Sequence, residues 1–97
     1  MTSGKLDKLL DDLVRAKGSW RCSDLIDRLE ALGFQVRDGR TPGHKIVTHP
    51  SLAAFYSASF NCGHGKNPEI KSGYISNIRN TLVTHEKALR EFLKEEP

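Results

Sequence analysis

Cysteine is scarce in this chain. Of 97 residues only Cys22 and Cys62 carry a thiol, too few and too far apart in sequence to argue for a disulfide scaffold. No tight Cys-x2-Cys pair exists, so a zinc site would have to draw on Cys22, His44, Cys62 and His64, with an unusual Cys62-x-His64 spacing. No metal and no cofactor is expected. Long hydrophobic runs are missing too. The longest, Leu52 to Tyr56, is far too short to cross a bilayer. The first twenty residues are broken by Asp7, Lys8, Asp11, Asp12 and Arg15, which argues against a secretory signal. A reducing, cytoplasmic setting without a membrane is the expectation. There are no internal repeats and no low-complexity segments.

Length bounds what remains. A chain of 97 residues makes one domain with an attached element or two. It buries roughly 60–65% of its unfolded surface, which leaves no room for a separate cofactor domain. The net charge is +3 and the isoelectric point near 9.0. Its distribution says more than its sum. Residues 35–49 carry Arg37, Arg40 and Lys45 against Asp38, a net of +2. Residues 61–80 carry Lys66, Lys71 and Arg79 against Glu69, again +2. The segments 21–33 and 84–97 are each slightly acidic. An excess of positive charge in two patches is what an anionic partner would meet.

Hydrophobic periodicity divides the chain. Leu6, Leu9, Leu10, Leu13 and Val14 fall on one helical face, and Ala16-Lys17-Gly18 reads as the end of that helix. Ser23 reads as the cap of a second helix with the stripe Leu25, Ile26, Leu29, Leu32, stopped by Gly33. Phe34-Gln35-Val36-Arg37 alternates as a strand, Asp38-Gly39 is a turn pair, and His44-Lys45-Ile46-Val47-Thr48 is a second strand ending at His49-Pro50. A third strand runs through Ala54, Tyr56, Ala58, Phe60 and Cys62, followed by a loop from Gly63 to Pro68. Ser72 or Gly73 opens a helix with the stripe Ile75, Ile78, Leu82. Thr84 caps a last amphipathic helix carrying Leu89, Phe92 and Leu93. Three consecutive strands with short connections predict an antiparallel sheet with helices on one face, an α+β fold. Trp20 and the leucine stripes belong to its core, and the terminal helices are expected to pack on the domain.

The chemistry gathers at two histidines flanked by glycine, Gly43-His44 and Gly63-His64-Gly65, each at a strand end. Histidine is the side chain that exchanges a proton near neutral pH, and glycine lets backbone and substrate approach closely. His44 is the sharper candidate. A base beside a ribose 2′-hydroxyl would let that oxygen attack the adjacent phosphorus. The plain alternative is a surface histidine at a strand start. His64 could orient substrate, act as the complementary acid, or simply hydrogen-bond its own loop. Arg37 and Arg40 flank the Asp38-Gly39 turn and are placed to grip phosphate. Lys45 alternates to the face opposite His44. Lys71-Ser72-Gly73 opens a helix, where free N–H groups and the helix dipole favour an anion, a feature common to most helix starts.

From Trp20 to about Leu82 the chain resembles the HicA-type toxins, the RNA-cleaving half of HicA–HicB toxin–antitoxin pairs. The matching pieces are Ser23-Asp24-Leu25-Ile26 through Leu32-Gly33-Phe34, then Gly43-His44-Lys45-Ile46-Val47-Thr48-His49-Pro50. They continue with His64-Gly65, Glu69-Ile70-Lys71-Ser72-Gly73 and the Ile75, Ile78 stripe. The resemblance implies a double-stranded-RNA-binding-domain-like fold over residues 20–83, with an N-terminal helical extension over 1–19 and a C-terminal helix over 84–97. The family's catalytic histidine, usually preceded by Gly-Ser, maps onto His44. Here the preceding pair is Pro42-Gly43, so that serine is missing.

The resulting expectation is a metal-independent endoribonuclease toxin, an mRNA interferase with His44 as its base. Arg37, Arg40, Lys45, His64, Lys66, Lys71, Ser72 and Gly73 would bind the RNA. A HicB-like antitoxin protein would cover the site, in a homodimer or a toxin–antitoxin hetero-oligomer. Two rivals stand beside it. One is a non-catalytic nucleic-acid-binding module, because no carboxylate partner for His44 is evident. The other is an adaptor that binds proteins through the terminal helices.

Overall fold

The computed structural model describes residues 4–15, 20–52, 55, 57–63 and 68–94. The leucine stripes become helices where expected. In α1 (Lys5–Arg15) the spacing i, i+3, i+7 turns Leu6, Leu9 and Leu13 inward, and all three are buried. Leu10 packs at the edge of the core and Val14 points out, so the apolar face is narrower than its composition suggested. The segment 16–18 lies outside the described residues. α2 (Cys22–Ala31) buries Cys22, Leu25 and Leu29. It ends at Leu32 and Gly33, whose φ of +94° is the left-handed conformation that glycine adopts without penalty.

Three strands follow: β1 (Gln35–Asp38), β2 (His44–Thr48) and β3 (Ala58–Asn61). They form one antiparallel sheet in the order β1-β2-β3. The register places Val36 opposite Val47 and Val47 opposite Ala58. Because side chains alternate across a strand, Val36, Val47, Ala58, Phe60 and Cys62 share the face covered by the helices. Val47, Phe60 and Cys62 are buried there. The opposite face carries Arg37, His44, Ile46, Ser59 and Asn61. The earlier part of the anticipated third strand, Ala54 and Tyr56, lies outside the described residues.

α3 (Ser72–Thr84) buries Ile75, Ile78 and Leu82 against α1 and β3, and α4 (Glu86–Leu93) buries Leu89. The molecule is therefore an α+β fold of the predicted order, two helices, three strands, two helices. Both terminal helices pack on the domain. Arg28 of α2 reaches Asp12 of α1 at 3.0 Å, and Arg90 of α4 grips Asp7 of α1 through two hydrogen bonds of 3.1 and 2.5 Å.

Several helix starts differ from the sequence reading. α2 begins one residue before Ser23, with Arg21 at the cap and no side-chain capping bond. The cause is tertiary. Residues 20–22 pair with 68–70 as a short antiparallel bridge: Ile70 N–H donates to the Trp20 carbonyl at 2.8 Å and Cys22 N–H to the Pro68 carbonyl at 3.1 Å. Lys71, not Ser72 or Gly73, caps α3, and Thr84 belongs to α3, its hydroxyl donating to the Asn80 carbonyl at 2.9 Å. His85 stands between α3 and α4 instead.

The cysteines are the larger correction. Cys22 and Cys62 form a disulfide, their Cα atoms 5.4 Å apart. Separation in sequence is no obstacle, because the 20–22/68–70 bridge sets the start of α2 beside the end of β3. His49, read in the sequence only as the end of the second strand, is buried. Its Nε2 lies 3.1 Å from the Leu32 carbonyl, its Nδ1 accepts from Ser51 N–H at 3.2 Å, and its ring meets Phe34 and Phe92 edge-on. Both ring nitrogens are occupied within the fold, which makes His49 a structural residue.

Candidate nucleic-acid interface

His44 is the first residue of β2, and the hairpin before it is built around glycine. Gly39 N–H donates to the His44 carbonyl at 2.7 Å, and His44 N–H donates to the Thr41 carbonyl at 3.1 Å. The imidazole lies directly on the Gly39 backbone, so close that a β-carbon at position 39 would collide with Nδ1. Gly43 has φ +85°, and a β-carbon there would strike the backbone of Gly63 and the Asn61 side chain. Gly39 thus seats a half-buried imidazole, and Gly43 admits the end of β3 beside it, on the sheet face that none of the described helices covers.

Cross-strand neighbours complete the setting. His44 pairs with Asn61. Cys62 N–H donates to the Gly43 carbonyl at 2.7 Å, one residue outside that pair on each strand. His44 and Asn61 therefore form a non-hydrogen-bonded pair, the type in which opposing side chains stand closest. Asn61 Oδ1 accepts from Gly63 N–H at 2.7 Å. Beyond it opens a cleft of about 240 Å³ lined by Asn61, Gly63, Glu69, Lys71 and Tyr74.

The cations expected around His44 separate into groups. Arg37 shares its face, opposite Ile46, and is exposed. Arg40 is exposed in the hairpin loop. Lys71, Ser72 and Gly73 are exposed at the start of α3, with Lys71 on the rim of the cleft that Asn61 lines. Lys45 points to the other side of the sheet. It pairs with Asp38 at 2.5 Å and lines a separate open pocket of about 530 Å³ with Cys22, Ser23 and Gly43. The structure thus separates Lys45 from His44. His64 and Lys66 lie outside the described residues.

Among the described residues no carboxylate comes within ion-pair distance of the His44 ring. No group of three or more metal-ligating side chains occurs among them. No helix among them is long and apolar enough to cross a membrane. Asn61 and Tyr74 were missed from the sequence, although the alternation that turns Phe60 and Cys62 inward already turns Asn61 outward. Asn-x-Gly is also a side-chain-to-backbone turn signal. No family model, curated protein or solved structure matches the chain.

Proposed function

We propose that this protein is a HicA-like toxin, an endoribonuclease that cleaves mRNA with His44 as its base and is neutralised by a HicB-like antitoxin protein. One observation carries the reading. A half-buried imidazole seated on the bare backbone of Gly39 stands on a sheet face that none of the described helices covers, with the exposed Arg37 on the neighbouring strand, Arg40 in the hairpin loop and Lys71 in the cleft that Asn61 lines. The resemblance over residues 20–83 supports it, and the helix–three strands–helix order at the centre of the fold agrees with a double-stranded-RNA-binding-like domain.

The chemistry balances within RNA itself. The neutral His44 ring accepts the 2′-hydroxyl proton, the freed oxygen bonds to phosphorus, and the bond from phosphorus to the 5′-oxygen breaks. That oxygen takes a proton from the imidazolium or from water, leaving a 2′,3′-cyclic phosphate and a 5′-hydroxyl. A single positioned acid–base group supplies roughly a hundred- to ten-thousand-fold. Arg37, Arg40 and Lys71 offset the charge that builds on the phosphate oxygens. The antitoxin would cover His44 and these cations together. In the cytoplasm, where this reading places the protein, thiol reductants open bonds such as Cys22–Cys62.

The test is incubation with a structured mRNA in EDTA, beside His44→Ala. Cleavage by the wild type, reduced at least about 100-fold in the variant, supports the enzyme. If neither protein cuts but both bind RNA, the non-catalytic binding module takes its place. RNA binding that weakens steeply as salt rises separates both from a protein adaptor.

A further inference from the structure

We infer that Asn61 is the neutral hydrogen-bond donor of the His44 site, its carboxamide NH2 holding a non-bridging oxygen of the phosphodiester under attack. The inference rests on the ribonuclease reading and adds to it a residue with a definite role. Three observations converge on this side chain.

The first is position. In the non-hydrogen-bonded pair with His44, Asn61 stands on the neighbouring strand directly across from that residue and on the same sheet face. Opposing β-carbons in such a pair lie about 4.5–5.5 Å apart, so a phosphate whose neighbouring 2′-hydroxyl meets the ring is within reach of the amide.

The second is orientation. An amide can present either end, but the backbone N–H of Gly63 at 2.7 Å can only face an acceptor. Oδ1 is thereby fixed toward Gly63 and Nδ2 becomes the other end of the group. Among the described residues nothing accepts from Nδ2. A donor held this way needs no reorganisation when charge develops, which is the condition for a large effect on rate.

The third is what lies beyond. Asn61 lines a cleft shared with Lys71, the cap of α3, and with Glu69, so a cation stands in the same cleft as the amide, beside one carboxylate that Arg21 engages at 3.7 Å. Gly43 leaves room for the amide oxygen in this position, since a β-carbon there would fall 3.0 Å from Asn61 Oδ1.

Asn61→Asp tests the idea with little change of shape. It keeps an oxygen for Gly63 N–H and replaces the donor by a second acceptor. Ser59→Asp is its control, placing the same charge on the same exposed face two residues away without touching the amide. Cleavage kinetics in EDTA are measured for the wild type, both variants and His44→Ala, with melting temperatures alongside. Binding of a 2′-fluoro version of the RNA, which lacks the attacking hydroxyl, is measured in parallel.

The expected result is a fall in kcat of about 100-fold or more for Asn61→Asp with an unchanged melting temperature. Ser59→Asp should lose less than about tenfold, and the two variants should bind the 2′-fluoro RNA alike. Asn61→Asp cleaving within about threefold of wild type overturns the inference. So does an equal loss in Ser59→Asp, or a loss confined to binding. Those outcomes leave the His44 reading standing, whereas wild type and His44→Ala cleaving alike would remove both.

Discussion

Gly39 and Gly43 flank the same hairpin and do different work. Gly39 has no left-handed backbone, yet it cannot carry a β-carbon without displacing the His44 ring. Gly39→Ala is therefore expected to leave folding nearly intact and to move the imidazole. A misplacement of about 1 Å at a reacting group can cost about 100-fold. The expectation is a loss of that order in RNA cleavage with a melting temperature close to wild type, and a normal rate would show that the ring does not need its seat. Gly43 is different. Its φ of +85° and its contact with Gly63 make any side chain strained as well as crowded. Gly43→Ala should lower stability by roughly 1–3 kcal/mol, read from denaturant unfolding. The sequence singled out Gly43-His44 because glycine beside histidine is visible in one dimension. It was silent on Gly39 as a seat and on Asn61 as a neighbour, because both depend on which residues the hairpin register sets opposite each other.

At the level of elements, periodicity was readable and the starts of α2, α3 and α4 were not. The stripes Leu6, Leu9, Leu13 and Ile75, Ile78, Leu82 are local patterns, and each became a buried helix face. β2 runs from His44 to Thr48 as the alternation predicts. The helix caps were misread because Arg21 and Lys71 stand where the 20–22/68–70 bridge delivers the chain, a contact between segments far apart in sequence. How α1 and α4 are tied to each other was equally hidden. Arg90 is mostly buried and holds both Asp7 of α1 and Glu86 of its own helix. Charge-assisted bonds of this kind contribute about 1.5–3 kcal/mol. Arg90→Met, which keeps the apolar stem, should lower the melting temperature by roughly 6 °C or more at neutral pH. Acid should produce the same loosening. The Arg90 guanidinium holds the Asp7 carboxyl below its ordinary value, through hydrogen bonds first and charge second. A depressed carboxylate stabilises the fold above the unfolded value, near 3.8, and loses that contribution as pH falls through the folded one. Melts of wild type and Asp7→Asn should differ by a constant amount at neutral pH and converge below about pH 4. Curves that stay parallel into acid would remove Asp7 from the account.

For the whole molecule, the disulfide is the feature the sequence least foretold and the one with the widest consequence. It closes a loop spanning 40 positions, from the start of α2 across all three strands to the end of β3. That loop contains the hairpin that seats His44 and ends one residue beyond Asn61. In the chain-entropy account a loop of this length contributes about 4 kcal/mol, and measured bonds give about 2–4 kcal/mol. In a protein of this size such a term is a large share of total stability. Reduction by a dithiol transfers two electrons and two protons to the bond and returns Cys22 and Cys62 to thiols. The melting temperature should then fall by at least about 8 °C. The double variant Cys22→Ser, Cys62→Ser should melt like the reduced wild type and ignore the reductant. An unchanged wild-type melt under reduction would mean that the bond adds nothing to the fold. Measuring RNA cleavage in the same two states then tests the compartment. A toxin of the cytoplasm must work with both thiols reduced, so the reduced protein should stay folded at 37 °C and cut RNA as the oxidised one does. If reduction instead unfolds the chain at that temperature, the protein belongs where disulfides persist, and the cytoplasmic mRNA reading loses its setting.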